Sequence, residues 1–505
     1  MIAALPDVSV CEQARLSRDP RFDGLFFTAV TSTGIYCRPV CPAPAPRPRN
    51  VRYFPNAAAA EAAGFRPCLR CRPELAPGDA TWRRGDDVVA RALALIEQGM
   101  LSQAPLAALA TRLEIGERQL RRLFVERLGA PPVGVHGTRR LLLAKQLLTD
   151  TSLPITDIAL AAGFNSLRRF NTTFREAYRL APRDLRRQTK AALPGGLTLR
   201  LGYRPPCDFE SMLTFLRDRA IPGVELVGVD SYARMFGASE HPGWLRVSRW
   251  PGEDGGTTHA LRLEIFGSRP ANLLPLVARV RRVFDLDADP HAIAAVLGQD
   301  PRLAALVRQH RGLRLPGGWD GFEIAVRAVV GQQVSVAAAR TIAARLVDRL
   351  GTPVPDDMAA LGFTRLFPAP AVVANADLAG FGLTRDRANT LRHVARALLD
   401  GRVDFGRERP LDDFVARWTA LSGIGPWTAH YIAMRALSHP DAFPAEDLIV
   451  RRALAPSLVT ATPPGRTFTR ERAEPWRPWR AYAVMHLWRE AASSSTVLHS
   501  RKARP

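Results

Sequence analysis

Four of the six cysteines stand in two close pairs, and no other feature constrains the folding of this chain as much. Cys37 and Cys41 lie in "TGIYCRPVCPAP", Cys68 and Cys71 in "GFRPCLRCRPE", and 26 residues separate the pairs. Such pairs on turns, brought together by the fold, offer four thiolates to one ion, which suits Zn²⁺. The competing reading is two unrelated pairs of thiols; the Pro, Gly and Arg around each pair favour the metal. Cys11 and Cys207 are isolated and read as ordinary thiols. Six cysteines in 505 residues make no disulfide scaffold, so a reducing, cytoplasmic compartment is expected. No apolar run reaches the roughly 18 residues that span a bilayer. The opening residues lack a basic start and an apolar core, so neither a signal peptide nor a membrane partner is expected.

The stretch "DPRFDGLFFTAVTSTGIYCRPVCPAPAPRPRNVRYFPNAAAAEAAGFRPCLRCRPE" resembles the N-terminal domain of Ada-type methyl-sensing repair regulators along its whole length. The resemblance implies one Zn²⁺ held by Cys37, Cys41, Cys68 and Cys71, with Cys37 also accepting a methyl group from a DNA methylphosphotriester. Alkylating one of four zinc-bound thiolates removes a negative charge and weakens repulsion from DNA phosphate, a charge switch on binding. The Pro-rich "PAPAPRPRN" departs from the more basic stretch usual there.

The 70 Lys+Arg against 48 Asp+Glu, a net charge of +22, point to a polyanion, with nucleic acid first among candidates. From Val88 to about Gln188 the pattern is helical and contains two similar units, "LAALATRLEIGERQLRRLFVERLGAPP" and "ITDIALAAGFNSLRRFNTTFREAYRLAP". Each has a bracing helix, a turn, and a second helix whose N-terminal end offers polar side chains to base edges. The tandem resembles the AraC-type DNA-binding domain. Candidate base readers are Glu117, Arg118 and Arg121 in the first unit, and Asn165, Ser166, Arg168 and Arg169 in the second. Where Gly129 ends the first recognition helix, Arg179 stands in the second. A left-handed non-Gly residue costs on the order of 1 kcal/mol, so a different helix end is expected there.

Beyond Gly196 the segments "LTLRLGY" and "HALRLEIFG" alternate as strands do, and from about Asp289 the pattern is helical. Two helical runs joined by "SGIGP" form a helix-hairpin-helix, in which Gly423 and Gly425 let bare backbone N–H groups meet a DNA phosphate. With "FPAEDLIVRR" downstream, this resembles the helix-hairpin-helix DNA glycosylases. Gly196 to about Glu490 more closely resembles the AlkA-type 3-methyladenine glycosylases, through "RPPCDFESMLTFLRDRA", "LPGGWDGFEIAVRAVVGQQVSVAAA", "GIGPWTAHYIAMRAL" and "EPWRPWRAYAVMHLW". The resemblance implies a catalytic Asp447, chosen over Glu446 because it immediately precedes Leu448. It also implies a base pocket of Phe215, Trp427, Tyr431 and Trp488 and a monovalent cation at the hairpin. Leu448 replaces a Tyr of the usual pocket, which alters the expected base preference. Gln333 takes the wedge position where some relatives carry Leu. A helix N-cap is the alternative role for Asp447 or Glu446.

Lyase-type relatives carry Lys where this chain has Trp427, and the only lysines are Lys145, Lys190 and Lys502. A monofunctional hydrolase is therefore expected. "PCHR" does not occur, so no guanine-O6 methyltransferase domain is expected. The expected fold is multidomain and mainly α. It has an α/β zinc domain (1–78), an all-α tandem helix-turn-helix (84–190), an α+β domain (196–288), an all-α helix-hairpin-helix glycosylase domain (289–493) and a flexible tail (494–505). Double-stranded DNA and RNA polymerase are the expected partners, at the bacterial nucleoid. The two functional readings are an alkylation sensor fused to an active glycosylase, and a transcription factor whose glycosylase half only binds DNA. Asp447 and the aromatic set favour the first.

Overall fold

The structure is a computed structural model that describes residues 5–78, 88–186, 196–238, 241–251, 258–267, 271–407, 409–455 and 463–502. The polar stretch 79–87, the joint 187–195 and the last residues 503–505 lie outside them. The chain is mainly helical and forms two compact units. One gathers 1–205, 230–281 and 286–288; the other gathers 206–229, 282–285 and 289–505.

In the first unit, strand Phe27–Val30 pairs antiparallel with Ile35–Cys37 and Val51–Phe54, and Arg66–Pro67 runs parallel to Ile35–Cys37. Phe27, Ala29, Tyr36, Ala57, Ala60 and Phe65 close a small core over this sheet. Asn56 caps helix Ala57–Ala62 through the Ala59 amide at 2.8 Å. The helix-turn-helix pairs are Leu106–Arg112 with Glu117–Leu128, and Ile155–Ala161 with Leu167–Tyr178, joined by the long helix Pro132–Asp150. Phe124 and Phe174, one in each recognition helix, are fully buried.

The expectation of a different end for the second recognition helix is corrected. Arg179 adopts φ +58° and its N–H returns to the Arg175 carbonyl, as Gly129 at φ +70° returns to Val125. Pairing Phe170, Phe174 and Tyr178 in one buried row holds the helix to its last turn, and the arginine accepts the strain.

The strands read from "LTLRLGY" and "HALRLEIFG" are Gly196–Gly202 and Ala260–Gly267, paired antiparallel in full register. His241–Arg249 and Ser231–Ala238 extend the sheet. Residues 206–229, within the expected 196–288 domain, fall in the second unit. The reason is packing. Ile221 and Val224 are buried against Ala343 and Val347, and Arg340 Nε donates to the Ala220 carbonyl at 2.9 Å. Buried Arg327 pairs with both Glu225 and Glu323.

That second unit is helical. Gly321–Val330, Val336–Leu350, Arg385–Leu399, Leu411–Thr419, Pro426–Ala436 and Leu448–Ala453 position the site. The last helix, Arg480–Lys502, runs through most of the segment expected as a flexible tail. Among the described residues no helix is long and apolar enough to cross a membrane.

Candidate metal centre and candidate active site

Cys37, at the end of its strand, and Cys41, Cys68 and Cys71, on turns, bring their ligand atoms within 4.8 Å of one another. Four sulfurs this close couple their ionisation: bonding to Cys41 above all pushes the Cys37 thiol far up, while its bond to Cys37 brings Cys41 down to about 7 and Cys68 is likewise brought down. The backbone N–H groups of Arg38 and Arg70 donate to Cys71 Sγ and Cys68 Sγ, both at 3.3 Å, as they would to thiolates. The donor set fits Zn²⁺. Cys68 and Cys71 are buried, whereas Cys37 and Cys41 are partly exposed.

The metal loop is tied down by residues that no motif announced. Lys145, one of three lysines and 1% exposed, donates to the Cys68 carbonyl at 3.1 Å and to Glu74 at 2.6 Å. Arg72 bonds Glu74 at 3.0 Å and Asp150 at 2.7 Å, fastening the loop to helix Pro132–Asp150. Arg38 pairs with Asp23 and donates to the Cys71 carbonyl at 3.1 Å.

On the helix-turn-helix units, Arg118, Arg121, Asn165, Arg168 and Arg169 are exposed. Arg121 pairs with Glu117 at 2.6 Å along the helix face. Ser166 is the N-cap, its hydroxyl accepting from the Arg169 amide at 3.4 Å, so it shapes the recognition helix as well as facing outward.

At the hairpin the two glycines have different reasons. Gly423 sits at φ +85°, and a Cβ there would meet Thr390 Oγ1 at 1.9 Å, so helix Arg385–Leu399 closes over it. Gly425 starts helix Pro426–Ala436 with ordinary φ and open space around a Cβ. Gln333 is exposed between Gly321–Val330 and Val336–Leu350, at φ +55°.

Asp447, 8% exposed, is the N-cap of Leu448–Ala453. Of the two roles weighed for it, the cap is the one its hydrogen bonds show. Its Oδ1 accepts from the Ile449 and Val450 amides at 3.0 and 3.1 Å and from Trp488 Nε1 at 3.1 Å. Trp427 Nε1 donates to Oδ2 at 2.9 Å. Glu446 instead turns to Arg470 at 3.0 Å. Trp427 stacks on Tyr431, centroids 5.3 Å apart at 17°, and Tyr431 meets Trp488 at 6.2 Å. Leu448 is 47% exposed beside them.

Phe215 joins the group through arginines that sequence reasoning missed. The guanidiniums of Arg219 and Arg435 lie 3.8 and 4.6 Å from its ring centroid. Arg435 also donates to the Tyr431 hydroxyl at 3.1 Å. Burial alone would push that phenol up, but Arg435, Arg219 and Arg327 outweigh it and bring it down. Arg435 lies four residues after Tyr431 and Arg219 four after Phe215, each one turn along the same face, a spacing too common on helices to single them out. Phe215 thus faces two cations, and Arg435 also lies 5.8 Å from the Tyr431 ring centroid.

Four families of known domains match the chain in order. They are the metal binding domain of Ada (10–74), a helix-turn-helix domain (109–188), the AlkA N-terminal domain (198–320) and the HhH-GPD superfamily of base excision DNA repair proteins (326–478). A probable bifunctional transcriptional activator/DNA repair enzyme AlkA of Mycobacterium tuberculosis is 42% identical over 494 residues, covering 95% of this chain and 96% of its own. DNA-3-methyladenine glycosylase 2 of Escherichia coli is 33% identical over 57% of this chain and 95% of its own. The bifunctional transcriptional activator/DNA repair enzyme Ada of Escherichia coli is 35% identical over 43% of this chain and 58% of its own.

Proposed function

The chain belongs to the family of AlkA-type bifunctional transcriptional activator/DNA repair enzymes, and we propose how its residues divide that work. It is a DNA glycosylase joined to a zinc-binding transcriptional activator. In our reading the glycosylase half hydrolyses the N-glycosidic bond of bases alkylated at a ring nitrogen, of the 3-methyladenine type, without a lyase step. The observation that carries this is a single buried carboxylate, Asp447, held by four N–H donors at the edge of an aromatic stack.

The chemistry follows from the substrate. A flipped alkylated base is already cationic, stacks on Trp427, Tyr431 and Trp488, and leaves with the glycosidic electron pair. Little acid catalysis is required. The sugar left behind is oxocarbenium-like, and the Asp447 carboxylate stabilises that charge and orients the water that adds to the anomeric carbon. The two indoles and two amides fix the carboxylate before the charge develops. The N–H groups at Gly423 and Gly425 grip the DNA backbone, a monovalent cation at the turn assisting, and Gln333 fills the gap in the stack. Leu448 opens the pocket mouth where a ring would narrow it.

In the sensing half, Cys37 accepts a methyl group from a phosphotriester: its sulfur forms the new S–C bond, the O–CH₃ bond breaks, and the phosphate keeps the electron pair. Zn²⁺, when bound by Cys37, Cys41, Cys68 and Cys71, keeps these sulfurs anionic and nucleophilic. The site then carries one negative charge fewer, and the helix-turn-helix pair binds promoter DNA through Arg118, Arg121, Ser166, Arg168 and Arg169 and recruits RNA polymerase. The functional domains are 1–78, 84–190, 196–288 and 289–493, in a protein working on the bacterial nucleoid in the cytoplasm. Release of 3-methyladenine from methylated duplex DNA by the full chain, lost in Asp447→Asn, tests this reading. A chain that binds such DNA and releases no base would favour the purely regulatory alternative.

A further inference from the structure

Gln332, beside the exposed Gln333, has no role in the reading above, yet its side chain makes two bonds to another part of the fold. Its Nε2 donates to the Gly423 carbonyl at 3.0 Å and to Thr428 Oγ1 at 3.1 Å. Gly423 is the left-handed residue of the hairpin turn, and Thr428 is 2% exposed, next to Trp427. One amide therefore spans the loop between Gly321–Val330 and Val336–Leu350, the phosphate-facing turn, and the first turn of the helix that carries the aromatic stack.

A second observation concerns strain. Gln333 holds φ +55°, a conformation costly for a residue with a Cβ, which persists where the surroundings impose it. The chain before it is anchored by Gln332, and the chain after it by Ser335, whose hydroxyl caps Val336–Leu350 through the Ala338 amide at 3.2 Å. The loop is clamped on both sides of its exposed apex.

We propose that Gln332 is a positioning residue for base extrusion: it fixes the distance between the wedge at Gln333 and the phosphate grip at Gly423, so that gripping the backbone drives the wedge into the stack. This rests on the glycosylase reading. It assigns the cost of losing Gln332 to the flipping step and not to hydrolysis of a base already in the pocket.

The test uses the full-length protein and duplexes carrying a single 7-methylguanine, opposite either cytosine or a tetrahydrofuran abasic site, with 2-aminopurine beside the lesion. Stopped-flow fluorescence reports flipping, and single-turnover assays report excision. Gln332→Met, similar in length and without a donor, should slow flipping and excision from the paired duplex about tenfold or more, since neutral hydrogen bonds are worth roughly that factor. Excision opposite the abasic site, where no pair resists extrusion, should stay within about twofold, because the hydrolytic groups are untouched. Thr428→Val removes one partner without changing shape and should give a smaller defect of the same kind, which covers the case of a Gln332→Met protein that does not fold. Wild-type flipping by both variants, or equal losses on both substrates, overturns the inference. A wild-type chain that releases neither this 7-methylguanine nor 3-methyladenine from methylated duplex DNA would remove the glycosylase reading and this inference with it.

Discussion

Trp427 and Asp447, twenty residues apart in sequence, meet through an indole N–H to carboxylate bond of 2.9 Å. Because the other oxygen already takes the Ile449 and Val450 amides and Trp488, an Asn at 447 that keeps the cap must turn its NH₂ toward the Trp427 N–H. Asp447→Asn is then more than a charge deletion. Excision of 3-methyladenine under single-turnover conditions should fall about 10²–10³-fold, as for one lost preorganised electrostatic contact. The opposed donors should also lower stability by about 1–3 kcal/mol. Asp447→Asn combined with Trp427→Phe should regain much of that stability without regaining activity. Near wild-type excision by Asp447→Asn would refute the catalytic assignment.

The metal centre offers a separate test. Metal analysis of the purified chain should find one tightly held Zn²⁺, lost together with the fold of the Cys37–Cys71 region when Cys68 or Cys71 becomes Ser. Incubation with DNA carrying methylphosphotriesters should place one methyl group on the Cys37 peptide, seen by mass spectrometry. A folded, metal-free domain, or methyl found on another cysteine, would contradict the four-thiolate reading.

The cysteine pairs and the hairpin turn were legible because their chemistry needs specific residue types at short spacings, and Asp447 was singled out by the glycosylase resemblance. The strands at Gly196–Gly202 and Ala260–Gly267 were legible because one face of each is buried, which writes a period of two into the sequence. Lys145, Arg72, Arg435 and Gln332 were not. Their partners Glu74, Asp150, Tyr431 and Gly423 are set by tertiary packing, and three of those four pairs lie more than seventy residues apart. The Arg435–Tyr431 pair is local, but a one-turn Tyr–Arg spacing is common on any helix and singles out nothing. The assignment of 206–229 to the second unit depends on the Ile221 and Val224 contacts, which a break in composition cannot show.

Arg179 and Gly129 end equivalent helices in the same left-handed conformation. Arg179→Gly should therefore stabilise the chain, by about 1 kcal/mol. Gly129→Ala should destabilise it by more than that penalty, since the new Cβ would also lie 2.9 Å from Ala59 Cβ. Thermal melts of the two variants against wild type check both signs. A destabilising Arg179→Gly would mean that the arginine side chain earns its place by contacts that outweigh the backbone strain.

His486 gives the protein a defined sensitivity to acid. It is 4% exposed, and its Nδ1 has no hydrogen-bond partner among the described residues. Burial first, then the nearby His310 and Arg489, bring it from 6.5 down to about 4. His136, beside Arg140 and Arg139, is likewise brought to about 4, again mainly by burial. A histidine with a depressed value in the fold is neutral there while the unfolded chain takes up its proton, so stability rises with pH wherever the unfolded state binds more protons. The contribution is complete above 6.5, declines as pH falls below it, and levels off near 4. At pH 5 each such histidine costs at most about 2 kcal/mol relative to pH 7.5. Melting temperature should therefore be flat from pH 7.5 to 6.5 and drop from 6.5 to 5, before most carboxylates titrate. His486→Phe keeps a ring in the same apolar setting and removes the titrating group, so its drop over that interval should be visibly smaller. An unchanged pH profile in His486→Phe would show that the imidazole is hydrated or protonated in the folded chain.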